Sequence, residues 1–290
     1  MTEQEIQFES AGFSLAAILQ FPDDFEQGRS RRPAFIVLHG FGSNKNAGNV
    51  VDPARMLCDW GYVTLRFDMR GCGDSEGPFG RIICLEQVED TQRALDFLLE
   101  RPEIADDRVG LIGSSFGAAV ALYTAGIDPR VAAVVSAGGW GNGERKFRGQ
   151  HKAPEAWQKF LDMLEAGRSR QSPADEPMMV SRYDIVPIPP KLRGHLSPKS
   201  VMEFPVETAQ SMFDFRAEDV VGNIAPHPLL LMHAARDSVT PTEQSIELFK
   251  RAGEPTELHL LSDVDHFLLA EQNHRARAIL KDWLDRFYPV

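Results

Sequence analysis

Residues 108–120 read RVGLIGSSFGAAV, and within them Gly113, Ser114, Ser115, Phe116 and Gly117 spell G-x-S-x-G. An apolar, strand-like run precedes the motif and a small-residue, helix-forming run follows, so the stretch reads as strand, sharp turn and helix. Such a turn forces Ser115 into a strained backbone conformation, with glycines where a side chain would collide. Its hydroxyl then stands at the C-terminal edge of a sheet, over the positive end of the next helix. Ser114 is the rival, but it precedes the turn position and is expected to pack or hydrogen-bond locally.

The flanks repeat the same rhythm. EIQFES and FSLAAILQF alternate about Ala11-Gly12 and predict an antiparallel hairpin, while AFIVLHG is the continuous apolar run of a strand buried on both faces. Asp52-Pro53 is expected to cap and open the helix PARMLCDW, stopped by Gly61, and YVTLRFD is the next strand. Residues 85–100 place Leu85, Val88, Leu95, Leu98 and Leu99 on one helical stripe. VAAVVSAGG reads as a strand, and the rhythm resumes later with PLLLMHAARD, a helix opened by Thr240-Pro241, the strand TELHLL and a last helix from about Ala270 to Phe287. Strands alternating with helices predict an α/β fold: a mostly parallel, doubly wound sheet with an N-terminal antiparallel hairpin. Between Trp140 and Asn223 the alternation fails, with prolines, scattered aromatics and no clean strand. Residues 1–139 and 224–290 are therefore expected to form the core, and 140–223 an inserted cap.

A serine hydroxyl is a poor nucleophile without a base. His266, in SDVDHFLLA, falls between the last strand and the last helix, where its ring can reach over the sheet edge. His227, His233 and His259 lie in or beside strands and read as structural, and His151 and His195 belong to the insertion. Asp237 directly follows a strand on the same edge and is the expected acid that orients the base. Asp263 and Asp265, close to His266 in sequence, are expected to serve their own loop. Acyl transfer also needs donors for the oxyanion. The backbone N–H of Phe116 supplies one, and LHGFGSN can aim that of Phe41 at the same point, with His39 and Gly40 shaping the loop.

With HGFG, FDMRGCGDSEG, GSSFG, RDSVTP and DHF in place, and the chain order Ser115, Asp237, His266, the sequence resembles the α/β-hydrolases. FDMRGCGDSEG is especially similar to serine esterases and acyl-aminopeptidase-like members, including cinnamoyl esterases. Ala118 departs from the second glycine that many relatives carry after G-x-S-x-G. The resemblance covers the proposed core and implies a variable cap in the insertion. It also implies a cofactor-free serine hydrolase, first of all a carboxylesterase cleaving a small or medium ester through an acyl-enzyme. The same triad on an amide, an aminoacyl-peptide or a C–C bond of a diketone is the alternative, and a non-catalytic binding protein on the same scaffold is another.

Composition narrows the partners. A net charge of −11 disfavours nucleic acid and anionic membranes. MTEQEIQFES has no basic stretch followed by an apolar one and the apolar runs are too short to span a bilayer, so a cytoplasmic protein is expected. Cys58, Cys72 and Cys84 lack C-x-x-C spacing and suit free thiols. No metal-binding or phosphate-loop motif occurs, and the glycines of GCGDSEG are misplaced for a dinucleotide site. Most aromatics of the insertion are expected to form its own small core and a minority to face the pocket, with Trp140, Phe147, Trp157 and Phe213 the expected substrate-binding ones. Arg145, Lys146 and Arg148 could attract a substrate carboxylate, although a solvated basic face is the expectation.

Overall fold

A computed structural model describes residues 1–29, 31–170, 176–269 and 273–290. The chain opens with β1 (Thr2–Ser10), β2 (Phe13–Phe21) and β3 (Arg32–Leu38), then alternates through α1 (Gly48–Asp59), β4 (Val63–Phe67), α2 (Cys84–Leu99), β5 (Ile104–Ser114), α3 (Phe116–Ile127) and β6 (Val131–Ala137). The insertion carries α4 (Gly143–Gln150), α5 (Pro154–Arg168), β7 (Met179–Ser181), α6 (Arg182–Ile185), β8 (Glu203–Pro205) and α7 (Val206–Asp214). The body then closes with β9 (Leu229–Ala234), α8 (Glu243–Arg251), β10 (Thr256–Leu261) and α9 (His274–Phe287).

Eight strands form one sheet in the order β1-β2-β4-β3-β5-β6-β9-β10. The hairpin β1–β2 is antiparallel and meets β4 antiparallel, and every pairing beyond β4 is parallel. Ala11 and Gly12 both have positive φ, 49° and 82°, as a tight two-residue hairpin turn requires. The central strands read as unbroken apolar runs because alternate side chains serve opposite layers. Phe35 and Val37 pack with Leu57 of α1 and Trp283 of α9, while Ile36 and Leu38 belong to the opposite cluster with Leu95 of α2 and Val120 of α3. Among the described residues, no helix is long and apolar enough to cross a membrane.

The sheet order positions the site. From β3 the chain runs to β4 on one side, whereas β5 pairs with β3 on the other, so the loops after β3 and β5 leave the sheet side by side in a crevice at its carboxyl edge.

Several local expectations are corrected. Helix α1 begins at Gly48, not after Asp52, and Pro53 lies inside it. Proline has no N–H to give the carbonyl four residues back, which leaves Asn49 O free to accept a long contact from Ser114 Oγ at 3.5 Å. Leu85 is 56% exposed, because Cys84 takes the buried end of the α2 stripe and the next residue turns away by about 100°. The expected start of the last helix at Ala270 lies outside the described residues; from His274 the helix is capped by the Asn273 side chain, which accepts from Ala276 N–H. The insertion does contain strands. β7 and β8 pair antiparallel, but three residues each are too few to show an alternating pattern.

The insertion packs on the body. Trp140, Phe147, Phe160, Phe204 and Met212 share the apolar cluster of α2 and α3. Ile82 and Cys84 donate their backbone N–H groups to Thr208 Oγ1 and Ser211 Oγ of α7. All three cysteines are free and buried, and burial pushes the thiols of Cys58 and Cys84 up to about 12, which leaves them poorly reactive.

Candidate active site

Ser115 sits between β5 and α3 with φ 55° and ψ −112°, a left-handed conformation that costs about 1–3 kcal/mol in a non-glycine residue. Surrounding contacts enforce it. Ser115 N–H donates to Ala137 O at 2.8 Å, and its own carbonyl accepts from Ala118 and Ala119 at 3.1 and 3.2 Å. A Cβ on Gly113 would lie 2.3 Å from the Gly117 carbonyl, and one on Gly117 would lie 2.5 Å from the carbonyl oxygens of Leu38 and His39. Both glycines of the motif are therefore required by the close crossing of strand ends and helix start.

Asp237 follows β9, and its carboxylate is wholly enclosed. Its Oδ1 accepts from the backbone N–H groups of Val239 and Thr240 at 2.7 and 2.8 Å, and its Oδ2 lies 2.8 Å from His266 Nδ1. A second histidine, His233, approaches the same oxygen with Nε2 at 3.4 Å. That Nε2 also lies 3.0 Å from Thr240 O, so it carries a hydrogen, and Nδ1 is 2.6 Å from Ser245 Oγ. Burial by itself would raise the pKa of Asp237. The charge of His266 and the hydrogen bonds from His233 and His266 outweigh it and hold the carboxyl well below the usual range. Asp265 instead accepts from Ser238 and from Lys191 Nζ, and Asp263 meets Arg275, so both serve the loop surface.

The loop after β3 is held from beneath and above. His39 Nδ1–H donates to Gly40 O at 2.8 Å and its Nε2 accepts from Met69 N–H at 3.1 Å, which sets a neutral tautomer; burial lowers its pKa. From the insertion, the buried Arg182 donates Nη1 to Phe41 O, Nη2 to Gly42 O and Nε to Val201 O, at 2.8, 3.0 and 2.8 Å. The Phe41 and Phe204 rings stack at 4.3 Å, with the guanidinium over both. Gly42 has φ 51°, and a Cβ there would lie 2.7 Å from Arg182 Nη2 and the Phe204 ring, so glycine permits this docking.

One pocket of about 610 Å³, mouth included, is lined by Ser115, His266, Phe41 and Phe116 together with residues of the insertion. Its charged lining is cationic, Lys146 and Arg182, and among the described residues no carboxylate lines it although the chain carries −11.

A family model described as serine aminopeptidase, S33, matches residues 29–273. The chain belongs to this α/β-hydrolase family. It is 28% identical over 251 residues to the polyketide transferase GrgF of a Penicillium species, covering 81% of each chain. The crystal structure of GrgF superposes with a TM-score of 0.81 over 99% of both chains at 24% identity, which speaks for the fold alone. The thiohydrolase AneE of Aspergillus aculeatus is 25% identical over 260 residues, covering 82% of this chain and 80% of its own. Est1E of Butyrivibrio proteoclasticus, solved with ferulic acid bound, superposes with a TM-score of 0.68 at 17% identity, covering 97% of this chain and 99% of its own.

Within this α/β-hydrolase the motif FDMRGCGDSEG builds a loop. Asp68 and Asp74 both take Lys45 Nζ at 2.6 Å, Arg70 Nε meets Asp90 at 2.8 Å, and a Cβ on Gly73 would strike the Asp68 carboxylate. Of the four expected substrate-binding aromatics, Trp140 lines the pocket. Phe147, Trp157 and Phe213 do not; they pack around Phe160 at ring distances of 4.6, 5.9 and 6.3 Å, because an aromatic cluster buries more area inside the insertion than along a pocket wall. The solvated basic face is likewise corrected. Arg145 pairs with Glu218 and Arg148 lies over Trp157, but Lys146 is buried and lines the hydrolase pocket. Sequence reasoning missed His233, Arg182, Met212 and Phe267 at the site. Phe267 stands beside His266 in the DHF motif; for the other three no signal exists along the chain, since it is the turn after β9 that brings Asp237 back to His233.

Proposed function

We propose that this hydrolase is a serine esterase that cleaves a small or medium carboxylic ester through an acyl-enzyme. One observation carries the reading: Ser115, held at positive φ, opens onto the same pocket as His266, whose other ring nitrogen is bound to the enclosed carboxylate of Asp237. In this reading His266 Nδ1–H donates to Asp237, which leaves the Nε2 lone pair as the proton acceptor. Ser115 Oγ attacks the ester carbonyl carbon while Nε2 takes its proton, and the N–H groups of Phe41 and Phe116 receive the oxyanion. The tetrahedral adduct expels the alcohol, which His266 protonates. Water then attacks the acyl-enzyme by the same route and releases the acid.

A second reading, transfer or hydrolysis of an acyl group from a thioester, is favoured by the names of GrgF and AneE. It uses the same acyl-enzyme with a thiol as leaving group. The test is fluorophosphonate labelling followed by a panel of oxygen esters, thioesters of the same acyl groups, aminoacyl anilides and diketones. Labelling at Ser115 with oxygen esters turned over best is expected. A higher kcat/KM on thioesters would favour the second reading, and no labelling of folded protein would discard both.

Phe41→Pro, which deletes one proposed oxyanion donor, is expected to lower kcat by about 10² to 10³ with little change in KM. Circular dichroism and thermal melting must first show that the variant folds. Undiminished kcat in a folded variant would remove this loop from the mechanism.

A further inference from the structure

We propose that Lys146 is a specificity residue whose ammonium binds a carboxylate at the far end of the acyl chain, so that the site selects monoesters of dicarboxylic acids over neutral acyl esters. The inference rests on the reading of the site as an esterase and names its substrate class.

Lys146, on α4, is 2% exposed, yet it lines the same pocket as Ser115 and His266. An enclosed ammonium is costly unless a counter-charge and hydrogen bonds satisfy it. Among the described residues Lys146 forms no ion pair. Its partners are Gln150 Oε1 at 3.2 Å and the ring faces of Phe147 at 3.9 Å and Trp140 at 5.3 Å. Gln150 is itself anchored, donating Nε2–H to Val239 O at 2.6 Å, so the ammonium is held in place rather than left to reach solvent. Two of its three donors have no oxygen partner among the described residues. Burial pushes the group down to about 7, because no charge of the fold holds its proton, and a bound carboxylate would restore the ammonium by pairing with it.

The neighbouring groups complete the reading. Trp140 also lines the pocket, and its indole N–H is buried without a partner among the described residues. Arg182, the other cation of the wall, gives three of its five donors to the carbonyls of Phe41, Gly42 and Val201, which pins its guanidinium to the backbone, whereas Lys146 gives one of its three to a side chain. Among the described residues no carboxylate lines the pocket to compete for it. The leaving alcohol must depart beside His266, which packs with Phe267 and through it His195, so in this proposal the acyl chain runs away from that group, toward Trp140 and the Lys146 ammonium over it.

The test compares 4-nitrophenyl hydrogen adipate with 4-nitrophenyl hexanoate, two esters of equal chain length that differ by a terminal carboxylate, on wild type, Lys146→Met and Lys146→Arg. Wild type should prefer the adipate. Lys146→Met should lower kcat/KM for the adipate by about 10- to 100-fold, chiefly through KM, with kcat on the hexanoate within about 3-fold of wild type, and Lys146→Arg should recover part of the preference. Because a buried unpaired ammonium destabilises the fold, Lys146→Met should melt no lower than wild type. Equal losses on both esters, or a preference unchanged in Lys146→Met, would overturn the proposal. Should wild type cleave neither ester, the esterase reading fails, and calorimetry with monomethyl adipate and methyl hexanoate still decides about Lys146: tighter binding of the anion by wild type, abolished in Lys146→Met, supports it, and equal binding of the two ligands overturns it.

Discussion

Ser115→Ala is expected to lower kcat by roughly 10⁴ to 10⁶ while leaving the fold in place, because nucleophile and base act as a unit and loss of one forfeits nearly all of their joint contribution. The structure makes this a clean substitution. Ser115 caps no helix N–H with its side chain, and alanine keeps the Cβ that already tolerates φ 55°, so the turn's strain is unchanged. The contacts that hold the turn are backbone contacts, to Ala137 O and from Ala118 and Ala119. Ser114→Ala is the control, since that hydroxyl makes a 3.5 Å contact with Asn49 O and should matter little to turnover. Rates on a 4-nitrophenyl ester, with melting curves for each variant, decide the matter. Near-normal turnover in folded Ser115→Ala would falsify the central assignment.

Asp237→Asn should cost about 10⁴ in kcat, and the hydrogen bonds say why. Val239 and Thr240 both point backbone N–H groups at Oδ1, so an asparagine must turn its carbonyl oxygen to that side. Its NH₂ then faces His266 Nδ1 and His233 Nε2. His266 Nδ1 becomes an acceptor, the ring hydrogen moves to Nε2, and the base no longer has a lone pair for the Ser115 proton. The wild-type carboxylate is insensitive to mild acid. Its folded pKa lies below the ordinary 3.8, so its contribution to stability is complete above that value and fades only as pH falls through the lower folded one. A kcat profile from pH 5 to 8 should therefore show no limb due to Asp237. Asp265→Asn, which disturbs the Ser238 and Lys191 contacts, is the comparison. If Asp265→Asn abolished turnover and Asp237→Asn did not, the acid would be misassigned.

What could be read from the sequence alone were the features enforced within a few residues of chain. Gly113 and Gly117 flank a serine whose backbone allows no side chain at either position, and that constraint is written into the motif itself. The central β strands of the body are apolar on both faces because helices cover both, and the Ala11-Gly12 turn pins the N-terminal hairpin. With the strands placed, Asp237 and His266 fell at strand ends on one sheet edge, since parallel strands all finish on the same side. The family resemblance follows from these local patterns and their order.

Tertiary structure alone decided the rest. Lys146 lies between Arg145 and Arg148 in a polar stretch that looks solvated, yet α4 turns its ammonium inward over Phe147 and Trp140. Phe147, Trp157 and Phe213 look like pocket aromatics but close on Phe160, and Arg182 reaches from the insertion to carbonyls 140 and 141 positions away in the chain. His233 reads as a strand residue until the end of β9 brings it against Asp237. In each case the outcome depends on which face of one element meets which face of another, a matter of long-range packing that composition and spacing along the chain do not encode: a side chain's burial is set by its neighbours in space, and those are chosen only when the whole core closes.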